Sequence, residues 1–162
     1  AFYMSSFVLN LAWSCLGRKY KKGVFCMDPR GHHFIVEASG CNDVIGEIEK
    51  MQEILVEAAR HAKAHIWTVS FHRFPPNGVS GVVVISESHL SIHTWPELGY
   101  VALDIYTCGS ETLPEVAVDY VLERVNAKHT HVTEITRGLD YGDREFYHSI
   151  VTWEERLRGN GG

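Results

Sequence analysis

The chain has 162 residues, 45% of them hydrophobic and 22% charged, which suits one globular domain and excludes a multidomain machine or a disordered chain. Its net charge is −5, and no basic run is longer than Arg18-Lys19 with Lys21-Lys22, so a nucleic acid finds no electrostatic footprint on it. Four cysteines (Cys15, Cys26, Cys41, Cys108) stand far apart without a C-x-x-C pair. They read as free thiols in a reducing, cytoplasmic compartment, with neither a disulfide framework nor a structural zinc site.

The apolar run from Phe2 to Leu16 holds only about fifteen residues, too few for a membrane span, and its basic residues follow it instead of preceding it as in a signal peptide. Met27 opens a stretch that suits the start of a domain. The expected organisation is therefore an extension over 1–26 and a functional domain over 27–162. Residues 33–38 read as a strand, followed by a turn over 40–43 in which Asn42 or Asp43 is available to cap a helix. Val44, Ile48, Met51, Leu55, Ala58 and Ala62 recur at spacings of three and four, which predicts an amphipathic helix with acidic residues early and Lys63 late. Ile66 to Phe74 reads as a strand closed by Pro75-Pro76-Asn77-Gly78, and Gly81 to Ile85 as a buried strand. Leu90 to Thr94 alternates, Pro96 to Gly99 turns, and Val101, Leu103 and Ile105 alternate with Ala102, Asp104 and Tyr106 to give another strand. Thr112 and Glu115 have capping-box spacing around Pro114, ahead of a second helix carrying Ala117, Val121 and Val125. A last strand over about 130–136 precedes a polar tail. This order predicts an α+β fold, a two-layer sandwich with helices on one face of a largely antiparallel sheet.

Reactive side chains concentrate between Ser80 and Cys108. On a strand, His89, Ser91, His93 and Trp95 share one face. The His89/His93 pair has no third ligand at a supporting distance, so no metal is expected. Ser88, His93 and Asp104 are the residue types of a hydrolytic triad. The G-x-S-x-G elbow is missing, however: Ser80 sits one residue short of it and Ser88 has no flanking glycine. From the residues alone, an internal Glu87–Ser88 bond lies between a buried strand and a histidine-bearing strand, where a strained peptide could expose the hydroxyl to its own preceding carbonyl.

Phe71-His72-Arg73-Phe74, the run from Gly78 to Glu97 containing Ile85-Ser86-Glu87-Ser88-His89, and Asp104-Ile105-Tyr106-Thr107-Cys108-Gly109 resemble the core motifs of the prokaryotic S-adenosylmethionine decarboxylase proenzymes. The likeness is nearly continuous from Phe71 to Gly109, is weaker over 31–38 and 131–138, and leaves out 1–26 and roughly 139–162. It implies self-cleavage between Glu87 and Ser88 into a β chain, 1–87, and an α chain, 88–162. The Ser88 hydroxyl would attack the preceding carbonyl to give an ester, elimination would leave dehydroalanine, and hydrolysis would release ammonia and leave a pyruvoyl group derived from Ser88. His93 resembles the histidine that removes the serine α-proton and Ser80 the serine that hydrogen-bonds the intermediate, roles that a near-neutral imidazole and a hydroxyl donor suit. In turnover the substrate amine would condense with the pyruvoyl ketone to form a Schiff base, and the amide carbonyl beyond it would act as electron sink while carbon dioxide leaves. Cys108 resembles the acid that protonates the α-carbon, Phe74 and Trp95 the aromatic contacts of the adenosyl and sulfonium groups, and Glu97 the ribose-binding carboxylate. The resemblance further implies a homodimer of cleaved protomers whose pockets are lined from both, acting on S-adenosylmethionine in spermidine synthesis, with neither nucleic acid nor membrane as partner. Two alternatives stay open: a pyruvoyl-dependent arginine or ornithine decarboxylase, and a regulatory paralogue that folds without processing.

Overall fold

Alternation of side chains builds the sheet. In β1 (Gly31–Ser39), Phe34, Val36 and Ala38 are buried while His33, Ile35 and Glu37 between them are half-buried on the other side. The computed structural model describes residues 30–109, 111–139 and 145–156, the side chains of the last three excepted. The expected extension over 1–26, with Cys15 and Cys26, lies outside the described residues.

A short 3-10 turn (Asp43–Gly46) leads into α1 (Ile48–His61), then β2 (Ile66–Phe74), β3 (Gly78–Ile85), β4 (Ser88–Trp95), a second 3-10 turn (Pro96–Leu98), β5 (Tyr100–Cys108), α2 (Pro114–Arg124), β6 (His129–Leu139) and β7 (Phe146–Arg156). The seven strands form one antiparallel sheet in the order β2-β3-β4-β5-β1-β6-β7. Both helices pack on one of its faces, α1 over β2, β3 and β4 and α2 over β1 and β5, so the expected two-layer α+β sandwich is what the chain forms. The core lies between the layers. Met51, Leu55, Ala58, Val121, Val83, Leu90, Ile92, Leu103 and Ile105 are all fully enclosed there. Each large side chain among them contributes about 1.5–3 kcal/mol relative to exposure, so Leu55→Ala should cost about 2–5 kcal/mol.

Three local expectations change. The first helix starts at Ile48, because residues 43–46 turn more tightly, and Asn42 places no side chain on its first turn; its amide donates instead to the Arg124 carbonyl at 3.3 Å, tying the turn to the end of α2. Thr112 does not cap α2: Leu113 holds that position, and the Thr112 hydroxyl reaches back to the Cys108 carbonyl at 3.4 Å. β3 begins at Gly78, since that glycine lets the Phe74 ring of β2 lie directly over the backbone. The largest correction concerns the polar tail, which contains β7. Phe146, Ile150, Val151 and Trp153 supply strand-forming side chains, and pairing with β6 in the register Ile135↔Ile150 overrides the polar residues between them.

Candidate active site

Nearly all the expected functional side chains share the sheet face turned away from the helices, hereafter the outer face. On β4, Leu90, Ile92 and Thr94 are buried toward the helices, which sends His89, Ser91, His93 and Trp95 outward. On β5, Val101, Leu103, Ile105 and Thr107 point inward, which sends Tyr100, Ala102, Asp104, Tyr106 and Cys108 outward.

At one end of this face stands a histidine–serine group. Ser80 faces His93 across the β3–β4 ladder, and Ser80 Oγ and His93 Nδ1 share a hydrogen bond at 2.8 Å. Ser80 is 9% exposed, so this bond anchors an otherwise exposed imidazole. The Trp95 ring lies 6.4 Å from His93, 5.7 Å from Phe74 and 5.2 Å from Tyr100, which makes an aromatic wall beside the histidine. The Tyr100 hydroxyl donates to Glu37, and burial together with that carboxylate pushes the phenol up to about 12. Glu97 lies exposed on the turn after β4. Beneath the group, the fully buried Thr94 hydroxyl accepts from the Val79 amide at 3.0 Å and donates to the Ile45 carbonyl at 2.7 Å. That clamp fixes β4 against both β3 and the turn below it.

At the other end β3 and β4 join through a tight turn over the exposed Ser86 and Glu87, and Ser88 opens β4 half-buried, opposite Ile85. Extending the β4–β5 register outward from His89↔Tyr106 sets Glu87 level with Cys108. The Glu87–Ser88 turn and the thiol therefore occupy the same end of the sheet.

Between the ends lies a polar cluster that reading the sequence did not assemble. The His33 ring is 5.5 Å from Tyr106 and 6.4 Å from His89. His33 Nε2 stands 3.4 Å from Asp104 Oδ1, near enough for ion pairing but off the angle of a hydrogen bond, so this buried nitrogen has no hydrogen-bond partner among the described residues. The Ser91 hydroxyl reaches Asp104 Oδ2 at 3.5 Å. His33, foremost, and then His89 and Ser91 hold the Asp104 carboxyl below its usual range against the opposing effect of burial. Burial and His33 lower His89, with Asp104 opposing. Asp104 thus serves His33 and not His93, which dismantles the hydrolytic triad considered above. The signal for this cluster was present in the alternation of β1 and β5, but only the register of three strands brings His33, Asp104 and His89 to one spot.

Ser88 and His93 lie on the same strand five residues apart, so about 17 Å separates them at ~3.4 Å per residue. The structure brings together Ser80, His93, Phe74 and Trp95 as one group and the Glu87–Ser88 turn with Cys108 as another. Of the described cysteines, Cys41 is pushed up to about 11 by burial and belongs to neither group. Among the described residues no set of three or more His, Cys, Asp or Glu side chains is arranged to hold a metal, and no helix is long and apolar enough to cross a membrane.

Comparison with known proteins supplies the class. The family model described as S-adenosylmethionine decarboxylase matches residues 32–138, which leaves β7 beyond it. The S-adenosylmethionine decarboxylase proenzyme of Pyrococcus horikoshii is 56% identical over 137 residues, 83% of this chain and 99% of that one. The proenzyme of the same name from Moorella thermoacetica is 53% identical over 110 residues, 67% of this chain and 88% of that one. The crystal structure of the adenosylmethionine decarboxylase from Aquifex aeolicus VF5 aligns with a TM-score of 0.67 at 32% identity, covering 73% of this chain and 98% of that one. The fold and these likenesses define the class as a carboxy-lyase on an α+β sandwich. The chain belongs to the S-adenosylmethionine decarboxylase family.

Proposed function

We propose that this chain is a proenzyme which cuts itself between Glu87 and Ser88, turns Ser88 into a pyruvoyl group, and decarboxylates S-adenosylmethionine to the aminopropyl donor used for spermidine. The observation that carries this reading is the common end of β4 and β5, where the register sets Glu87 level with Cys108 and the half-buried Ser88 follows directly, in a member of this family. Ser88 stands at the start of a strand behind a two-residue turn, with the exposed Glu87 directly before it. The site suits the group it would carry, with a thiol on the adjoining strand and the Cys108 carbonyl steadied by Thr112.

The pyruvoyl group supplies a carbonyl that accepts the electron pair of the breaking carbon–carboxylate bond. Cys108 holds the proton that the α-carbon receives after carbon dioxide leaves. His93, kept in orientation by Ser80, takes the α-proton of Ser88 during processing, and the Ser80 hydroxyl donates to the oxygen that gains charge. Phe74 and Trp95 face the sulfonium, whose charge is attracted to aromatic faces, and Glu97 receives the ribose hydroxyls. Cys108 works as a thiol, in keeping with a reducing cytoplasm.

His93 cannot reach Ser88 of its own chain across about 17 Å of strand. We infer that two protomers pack outer face to outer face about a two-fold axis, so that the Ser88 and Cys108 edge of one meets the Ser80, His93, Phe74 and Trp95 group of the other. The half-buried Ile35, Val82, Val84 and Ala102 on that face supply apolar surface for such packing. Intact-mass measurement tests the processing step. The expected result is two chains, 1–87 and an α chain whose first residue is a pyruvoyl group, with Ser88→Ala giving one uncut chain. A single full-length wild-type chain, or normal cutting of Ser88→Ala, would overturn the reading.

A further inference from the structure

Cys108 sits opposite Gly31 of β1, and Gly31 sits opposite Arg137 of β6, so three strands present a thiol, a gap and a guanidinium in one row. The gap is already in use. A Cβ on Gly31 would stand 2.7 Å from Cε2 of Tyr106, 3.1 Å from Sγ of Cys108 and 2.5 Å from the Thr107 carbonyl oxygen. The Tyr106 ring therefore leans into the space a side chain would take, so that its edge and the Cys108 thiol border the same gap, and Cys108 is among the groups that raise the phenol. Arg137 crosses the same gap and lies over the ring, 4.8 Å from its centre. His33 at 5.5 Å and His89 at 6.2 Å bound the ring on its remaining sides.

We propose that Tyr106 is a positioning residue for Cys108: its hydroxyl donates to Sγ and stabilises the thiolate left when Cys108 passes its proton to the product carbon. The proposal rests on the reading of Cys108 as the acid. In that step the S–H bond breaks, the proton joins the carbon that has lost carbon dioxide, the bonding pair stays on sulfur, and a solvent proton then restores the thiol. An acid whose conjugate base is hydrogen-bonded gives up its proton more readily. Burial, and next to it Cys108, raise the phenol above its ordinary value while Arg137 opposes them, so Tyr106 remains an O–H donor over the range in which a thiol titrates. The charged and titratable groups facing the pair are His89 from β4, His33 from β1, Arg137 from β6, Asp104 on β5 and Glu87 at the turn. Asp104 is committed to His33, and the lowered His89 stays neutral near neutral pH.

The test is Tyr106→Phe in the full, self-processed protein, with kcat and KM for S-adenosylmethionine followed across pH. This variant keeps the ring beneath Arg137 and loses only the hydroxyl. Expected are complete self-cleavage, a KM within about twofold, a kcat down by about tenfold, and an alkaline limb of the kcat profile moved to higher pH by roughly one unit. Arg137→Met, which leaves the ring less firmly held, should move the limb in the same direction by less. A merely structural role for Tyr106 would lower the melting temperature and leave the limb in place; unchanged kcat and limb overturn the proposal. Cys108→Ser separates the two layers of the argument. If it leaves kcat and the limb unchanged, the acid reading of Cys108 falls and this inference with it. If it removes the limb while Tyr106→Phe does not move it, only the inference about Tyr106 falls.

Discussion

Two inactive variants should restore each other when they share a dimer. His93 is about 17 Å along β4 from Ser88, whereas proton removal requires hydrogen-bonding distance, about 3 Å. The deficit is far larger than a rotamer change can close, so in the proposed dimer the histidine serving a given Ser88 would come from the other protomer. Consider Ser88→Ala and His93→Ala chains co-expressed in equal amounts under two different tags. Random pairing makes about half of the dimers mixed. Each mixed dimer has one site with both residues intact, contributed by Ser88 of the His93→Ala chain and His93 of the Ser88→Ala chain, and one site lacking both. About half of the His93→Ala chains should then acquire an α chain of pyruvoyl mass, no Ser88→Ala chain should do so, and total decarboxylase activity should reach about a quarter of wild type. Each variant expressed alone should give almost none. The assay is intact mass on the tag-separated chains with carbon dioxide release on the mixture. Failure of the His93→Ala chain to mature in the mixed dimer would refute the reasoning, as would its maturing fully when expressed alone.

Other changes test separate links. Cys108→Ala should still cut itself but turn over about 10²-fold or more slowly, since general acid catalysis commonly contributes 10²–10⁴-fold; single-turnover kinetics on the processed protein measure this, and unchanged turnover removes Cys108 from the acid role. Thr94→Val deletes a hydroxyl that satisfies both the Val79 amide and the Ile45 carbonyl. With those groups left buried and unpaired, urea denaturation should show a loss of about 2–4 kcal/mol, and a loss under about 0.5 kcal/mol would show that the clamp is unimportant. His89 is lowered in the folded chain from its ordinary 6.5, so the unfolded chain binds its proton first as pH falls. That contribution to stability is complete above about 6.5 and is lost as pH drops toward the folded value. His89→Gln should flatten the acid side of the stability profile in thermal melts from pH 7.5 to 5, and an unchanged slope would reassign it to other groups.

The periodicity of β4 and β5 displayed the outer face in the sequence, because Leu90, Ile92, Val101, Leu103 and Ile105 alternate with polar residues. Alternation assigns a face but not a neighbour. Without the register His33↔Tyr106 and His89↔Tyr106, nothing joined His33, Asp104 and His89, and only the missing G-x-S-x-G elbow spoke against grouping Asp104 with Ser88 and His93. The same limit hid the separation of Ser88 from His93. Five residues apart in sequence, they are held about 17 Å apart by an extended strand. Thr112 had the right spacing for a cap, yet its hydroxyl found the Cys108 carbonyl first. β7 was missed because its aromatic and β-branched residues fall on both faces of an edge strand, which blurs the two-residue period. Gly31, unremarkable among fourteen glycines, shows its meaning only once Tyr106 and Arg137 are seen to fill the space above it.

The most direct test of the central claim follows carbon dioxide from carboxyl-labelled substrates. Processed wild-type protein should release label from S-adenosylmethionine and none from arginine or ornithine, with Ser88→Ala inert toward all three. Release from arginine or ornithine and none from S-adenosylmethionine would contradict the proposed substrate, and release by the uncut Ser88→Ala chain would contradict the pyruvoyl chemistry itself.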